Sequence, residues 1–352
     1  MTTALPDVEG ALARAGSWRP LAERAVADEP LVRADGLALL AAPDGELPEV
    51  LWAAFAARMR HRGTRVKLCV LQNARSGLCP EDCGYCSQSA VSTADIRRYR
   101  LRPVAELVEG ARRAAASGAR RYCMVVSARG PSATDLAHFA RVARAIRAEH
   151  PRLELCVSLG ILDEADARML RAAGVDFVNH NLNTSRRFYP EICSTHTYDD
   201  RVATVVGSAR AGLSTCSGVI VGMGETHADL VDVAAELRRL AVVSLPVNFL
   251  HPIEGTPLGD RPTLAAADCL RALALFRLTN PRAEIRAAGG RERSLGAAQG
   301  LALFAADSIF VDGYLTTPGQ SLREAHDMID ALGFAIEREH APSDGHGVAN
   351  VM

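Results

Sequence analysis

Three cysteines fall within eight residues in GLCPEDCGYCSQS, the stretch from Gly77 to Ser89, with the spacing CxxxCxxC. Closely spaced thiols bind metals, and two metal readings are open. A structural zinc is closed by four ligands, commonly two cysteine pairs. Here Cys79, Cys83 and Cys86 form a triplet, no nearby Cys or His completes it, and His61 lies upstream on an expected helix. An iron–sulfur cluster is also held by cysteine thiolates. Three thiolates on a four-iron cubane leave one iron without a protein ligand, where a small molecule can bind, much as a catalytic zinc keeps one position free. On this second reading the missing fourth thiol is the functional feature.

Three further cysteines stand in apolar runs: Cys123 in RYCMVVS, Cys156 in LELCVSL and Cys216 in LSTCSGV. Taken singly, each reads as a small buried hydrophobe. Arg286, in AEIRAAG, reads differently, because an arginine inside an apolar strand is rarely buried without a partner. Asn179 and Asn181 are two apart in VNHNLNTS and so share a face at a strand end. Their amides offer donors and acceptors together, which suits a neutral urea or amide; the alternative is a turn former. Cys69 and Cys269 read as packing residues, and Cys193, in EICSTHT, reads either as a neighbour of the site or as incidental to it.

Chemistry of this kind needs a scaffold that brings distant residues together. Residues 1–62 read as a helical extension, with apolar positions at three- and four-residue spacing in EGALARAG and EVLWAAFAARMRHR. From 63 to 335 short β-like runs alternate with amphipathic helices. Strands are predicted over 66–72, 121–127, 153–159, 175–181, 213–222, 243–250, 283–289 and 307–313. The helices between them include 103–118, 134–150 and 294–306, and several stop at glycine. Periodicity alone fits a doubly wound sheet as well; eight β–α units favour a (β/α)8 TIM-type barrel, fold class α/β. The cysteine triplet then follows the first strand, on the face where barrel active sites gather. Cys123, Cys156, Cys216 and Arg286 fall on the second, third, fifth and seventh strands, where side chains can converge on the axis. Such a set makes a poor apolar core and a good cage for a small cluster.

The net charge of −1, without long basic or acidic runs, gives nucleic-acid binding no electrostatic support. The N-terminus lacks a signal-peptide pattern and no apolar run reaches membrane-span length, so a cytoplasmic protein is expected. There, nine cysteines point to metal or catalysis rather than a disulfide framework. The polar tail, 336–352, is predicted to be disordered, with His340 and His346 facing solvent.

A CxxxCxxC loop after the first strand of a β/α barrel resembles the radical SAM enzymes. That resemblance implies a 4Fe-4S cluster on Cys79, Cys83 and Cys86. Its open iron takes the amine and carboxylate of S-adenosyl-L-methionine (SAM), and reduction releases a 5′-deoxyadenosyl radical. The stretches ARSGLCPEDCGYCSQS, RYCMV, VNHNLNTS, THTYDDR, CSGVIVGMGET, PVNFL, EGTPL, IRAAGGRE, SIF and LTTPG resemble, more narrowly, the biotin synthase family over residues 60–335. This implies a sulfurtransferase with a 2Fe-2S cluster inside the barrel on Cys123, Cys156, Cys216 and Arg286, one sulfide of which enters dethiobiotin. It also implies that Asn179 and Asn248 bind the ureido ring, and that Asn181 and Asn183 bind the ribose hydroxyls of SAM. Arg201, otherwise read as a surface residue, would pair with the SAM carboxylate. Gly222 and Glu225, in the GMGET loop, would pass the adenine, and Thr316 and Thr317 would lie near the substrate carboxylate. A flavodoxin or ferredoxin electron donor and a homodimer are family expectations. Two positions depart from the pattern: Asn183, where many members have aspartate, and Asp312, where glycine is expected. Two rivals stand beside this reading. Another radical SAM enzyme without sulfur insertion would lack a 2Fe-2S absorption, and a zinc-stabilised binding module would lack iron and labile sulfide.

Overall fold

The structure, a computed structural model, describes residues 5–77, 79–317 and 319–338. The expectations for His340 and His346, and for the tail beyond residue 338, lie outside the described residues. Eight parallel strands run in chain order: β1 (Arg65–Arg75), β2 (Arg121–Val126), β3 (Glu154–Ser158), β4 (Phe177–Asn179), β5 (Ser214–Cys216, resumed at Val219–Val221), β6 (Ser244–Phe249), β7 (Glu284–Ala287) and β8 (Ser308–Val311). Each pairs with its neighbour, and β8 pairs back to β1 with Lys67–Val70 opposite Ser308–Val311, so the sheet closes. Closure is what separates this barrel from the doubly wound alternative. A short strand, β9 (Ala335–Ile336), adds to the start of β1 beyond the expected barrel limit of 335.

The break in β5 has a local cause. Pro246, in β6, brings no N–H to the ladder, and opposite it β5 parts at Ser217–Gly218 while keeping its register with β6. Gly218 O accepts instead from Asn183 N at 2.9 Å. A Cβ at Gly218 would stand 1.8 Å from Pro246 O, so only glycine fits. Gly218→Ala should therefore destabilise the barrel by about 1–3 kcal/mol. A urea unfolding midpoint equal to that of the parent would contradict this.

The predicted helices form on the outside: Val104–Ala116, Ala133–Glu149, Glu164–Ala172, Tyr198–Arg210, His227–Arg239 and Ala266–Thr279. Capping boxes at Ser132/Asp135, Thr197/Asp200 and Thr226/Asp229 start three of them. The helix predicted over 294–306 is corrected. A short α-helix, Arg291–Leu295, gives way at Gly296 (φ 49°) to a 3-10 helix, Gly296–Phe304. Left-handed backbone at that glycine ends the α-helical ladder. Among the described residues the N-terminal extension folds as four α-helices, Val8–Arg14, Arg19–Val26, Arg33–Leu40 and Leu47–His61, with two short 3-10 turns between them. The last of these packs Trp52 and Phe55 on Phe304. Its buried Arg58 donates to Arg65 O at 3.0 Å, and Arg62, just past its end, donates to Asp307 at 2.8 Å. These contacts anchor the extension at the N-terminal ends of β1 and β8, opposite the face that carries the cysteine triplet.

Candidate active site

The rim is built by the loop that follows β1. Cys86 N donates to Cys83 O and Ser89 N to Cys86 O, both at 3.1 Å, which coils the triplet into successive turns. Gln88 Oε1 accepts from Asn73 Nδ2 and Gly77 N, each at 3.1 Å, and ties the loop to the strand end. Cys79, Cys83 and Cys86 all line one cavity that opens on this face and continues into the lumen.

The upper wall carries the asparagine run. Asn179 Nδ2 donates to Asn181 Oδ1 (3.2 Å) and contacts Cys216 Sγ (3.1 Å), so the two amides share a face as expected. Asn183 has φ 69°, a left-handed conformation that asparagine tolerates, and its Nδ2 donates to Tyr85 Oη at 2.7 Å. Arg201 is buried against the cavity, which overturns the surface reading. It donates through Nη1 to Asn181 O at 2.8 Å, through Nη2 to His196 Nε2 at 2.8 Å, and through Nε to the Tyr189 hydroxyl. Asn248 is held at both ends of its amide, by Val219 O (2.9 Å) and Gly289 N (3.0 Å). Thr316 meets Ser87 at 3.0 Å, and Thr317 donates to Tyr314 O at 2.8 Å; both line the cavity mouth. Asp312 sits at φ 63°, which accounts for the expectation of glycine there.

Deeper in the lumen the second set converges. Cys123 pairs directly with Cys156 across β2 and β3. Cys156 is buried in one cluster with Cys123 and Cys216, and Arg286 Nη1 approaches Cys216 Sγ to 3.8 Å. Hydrogen bonds from Cys156 hold Cys123 and Cys216 below the ordinary thiol value against the cost of burial, with Arg286 and Arg121 helping. The other nitrogens of Arg286 are occupied: Nε donates to Ser308 Oγ (3.0 Å), and Nη2 to Ser244 Oγ (3.1 Å) and to Glu284.

Two expected residues stand apart. Gly222 and Glu225 line a separate cleft with Leu40, Arg261 and Leu264. The Glu225 carboxylate closes its own loop, accepting from Gly222 N (2.6 Å) and Met223 N (2.8 Å).

Several residues of the site escaped the sequence reading. Cys69 belongs to the lumen cluster rather than the general core, with Sγ 3.4 Å from the Ser308 hydroxyl that also receives Arg286. Cys193 Sγ lies 3.7 Å from Cys83 Sγ, so it is not incidental. His180 is buried in the cavity wall, and its Nε2 has no hydrogen-bond partner. The lumen floor is ionic. Arg121 forks onto Glu284 with two 2.9 Å bonds and reaches Glu154 at 2.8 Å, and Lys67 pairs with Glu154 (2.9 Å) and Glu284 (3.3 Å). A parity signal existed, since Glu284 is two residues from Arg286 and must share its strand face.

Residues 75–237 match the radical SAM superfamily, and residues 246–335 match the Biotin and Thiamin Synthesis associated domain. A biotin synthase of Geobacillus kaustophilus is 48% identical over 94% of this chain and 98% of its own length. One of Rhodopirellula baltica is 43% identical over 95% of both chains. Among solved structures, methylornithine synthase (PylB) superposes with a TM-score of 0.78 over 90% of this chain and 97% of its own, at 20% identity, a likeness of fold. The hydrogenase maturase HydG of Carboxydothermus hydrogenoformans does so at 0.76 and 16% identity over 94% and 83%. Among the described residues no helix is long and apolar enough to cross a membrane. With these relatives matched along nearly its whole length, the chain belongs to the biotin synthase family of the radical SAM superfamily.

Proposed function

We propose that this chain converts dethiobiotin to biotin by radical sulfur insertion, drawing the sulfur from a 2Fe-2S cluster on Cys123, Cys156, Cys216 and Arg286. The observation that carries this reading is the convergence of those four side chains in the lumen, beneath a cavity whose rim presents Cys79, Cys83 and Cys86.

The donor sets fit the two groups. Two ferric ions, two sulfides and three thiolates together carry one negative charge. The lumen holds one buried cation in excess, since Lys67, Arg121 and Arg286 face Glu154 and Glu284, while Glu337 is shared with Arg120 nearer solvent. At the rim, three thiols face the cavity, and the orphaned Nε2 of His180 awaits a polar partner. When bound, the 4Fe-4S cluster with SAM supplies a carbon radical and the 2Fe-2S cluster a sulfur atom, chemistry that no side-chain acid or base offers.

The chain's own task is positional. Glu284, Ser244 and Ser308 fix three faces of the Arg286 guanidinium and leave Nη1 turned to the thiols. Asn179 has both donors engaged and keeps Oδ1 to accept from a ureido N–H. Asn248, locked at both amide ends, offers one remaining donor and one lone pair in a fixed orientation. Phe310, Leu71 and Tyr314 pack the lumen wall and exclude water from the substrate. Arg201 supplies a buried guanidinium for a carboxylate of SAM. The same reading implies a cytosolic homodimer reduced by a flavodoxin- or ferredoxin-type donor.

Asn183 bears on SAM affinity. Aspartate fits the same left-handed backbone, and Tyr85 can reverse its hydroxyl to donate to it. Asn183→Asp should add charge assistance to a ribose hydroxyl contact and tighten SAM binding about fivefold, ~1 kcal/mol. An unchanged or weaker SAM dissociation constant would count against this role.

The reading as a whole is tested by anaerobic reconstitution with iron and sulfide, then incubation with dethiobiotin, SAM and a reductant. Biotin is expected. SAM cleavage without biotin would assign the chain to another radical reaction.

A further inference from the structure

Cys83 and Cys193 come from segments more than a hundred residues apart, yet their sulfurs touch at 3.7 Å. The contact is clamped by the two acids of the CPEDC stretch. Asp82 Oδ1 accepts from Ser194 N (3.0 Å) and Thr195 N (3.2 Å), Glu81 Oε2 accepts from Thr195 Oγ1 (2.7 Å), and Gly84 N donates to Ile192 O (2.9 Å). Both are buried, but Cys83 lines the cavity and Cys193 is not part of its wall. A small solute in the cavity therefore meets Cys83 first, with Cys193 in contact behind it.

We propose that Cys83 and Cys193 are a reversible redox pair, joined as a disulfide when the rim cluster is absent and a peroxide is present. One sulfur of the pair attacks a peroxide oxygen, the O–O bond breaks, and a sulfenic acid and one water form. The other sulfur then displaces the sulfenic oxygen, which leaves as a second water. Two thiols give up two electrons and two protons, and hydrogen peroxide becomes two waters. The bond withholds Cys83 from the CxxxCxxC set, so a cluster cannot be loaded until a dithiol reductant opens it. It also stops Cys83 short of the irreversible sulfinic acid. The role rests on Cys83 being a rim ligand. The pairing itself is read in metal-free protein, so it fails or holds separately from cluster chemistry.

The test uses the full chain, stripped of iron under anaerobic conditions and treated with stoichiometric hydrogen peroxide. Digestion without reductant and mass spectrometry should find the Cys83–Cys193 peptide pair as the main cross-link, lost on adding dithiothreitol and absent from cluster-loaded protein. A dominant Cys83–Cys86 or Cys79 cross-link, or sulfinic Cys83 without a link, would overturn the pairing. In Cys193→Ser, peroxide followed by dithiothreitol should cut the iron and labile sulfide recovered on reconstitution at least threefold relative to the parent. Equal recovery would overturn the protective role.

Discussion

Cys156→Ala is expected to abolish biotin formation while leaving reductive SAM cleavage measurable, and Cys123→Ala to do the same. Cys156 is packed in the lumen with both other thiols, and Cys123 faces it across the β2–β3 ladder. Removing either takes one donor from a cage of four and leaves the positive charge of Arg121 and Arg286 less compensated. Loss of an outer partner of a metal ligand typically costs about 10–100-fold, and loss of a ligand itself should exceed that. The rim triplet should keep its fold, since its loop is held by Gln88, Asn73, Ser127 and the segment around Ile192 through contacts that do not use the Cys123 or Cys156 side chain. Cys83→Ala should instead lose SAM cleavage and biotin together. Product analysis by mass spectrometry, alongside the visible absorption of the reconstituted protein, separates the two patterns. Full biotin yield from Cys156→Ala would remove the lumen cluster as the sulfur source.

Much of this arrangement is legible in the sequence because strand parity and β–α alternation are local signals. Cys123, Cys156, Cys216 and Arg286 lie on four strands, and a closed barrel leaves their inward faces nowhere to go but the axis. Closure itself is not local: it depends on Lys67–Val70 meeting Ser308–Val311, more than two hundred residues on. Cys69 was missed because a lone cysteine in a strand reads as packing, although it too faces the lumen. Arg201 was ambiguous because the start of a helix is usually exposed, and only the fold buries it under the Tyr189 loop. For Cys193 the sequence leaves both a site neighbour and an incidental residue open, because its meeting with Cys83 depends on how two loops are clamped by Glu81 and Asp82. The segment 294–306 misled for the opposite reason, since its apolar spacing suits an α-helix but Gly296 turns left-handed.

Glu284→Gln should destabilise the fold by about 3–5 kcal/mol and loosen the proposed 2Fe-2S cluster, although it removes none of the proposed donors. Glu284 is almost fully buried and takes a two-bond fork from Arg121, a bond from Arg286 and the charge of Lys67. Burial alone would push its carboxyl up, but Arg121, Lys67 and Arg286 outweigh that and hold it well below the usual carboxylate range. A neutral amide keeps the shape and leaves Lys67 and Arg121 with Glu154, and Arg286 without its carboxylate. Glu154 is more exposed and does not reach Arg286, so Glu154→Gln should cost less and serves as the control. The pH dependence follows from the sign of the shift. A carboxylate depressed in the folded state contributes its full stability above its unfolded value of about 4.3 and loses it as pH falls through the folded value. The gap between parent and Glu284→Gln should therefore be constant across neutral pH and narrow only in acid. The effect on the cluster has its own readout, because an Arg286 guanidinium that keeps Ser244 but loses the carboxylate charge on its Nη2 side is less well aimed at Cys216. The 2Fe-2S absorption of reconstituted Glu284→Gln should bleach faster under chelator than that of Glu154→Gln at equal folded fraction. Equal bleaching would leave Glu284 a purely structural counter-charge, with no part in positioning Arg286.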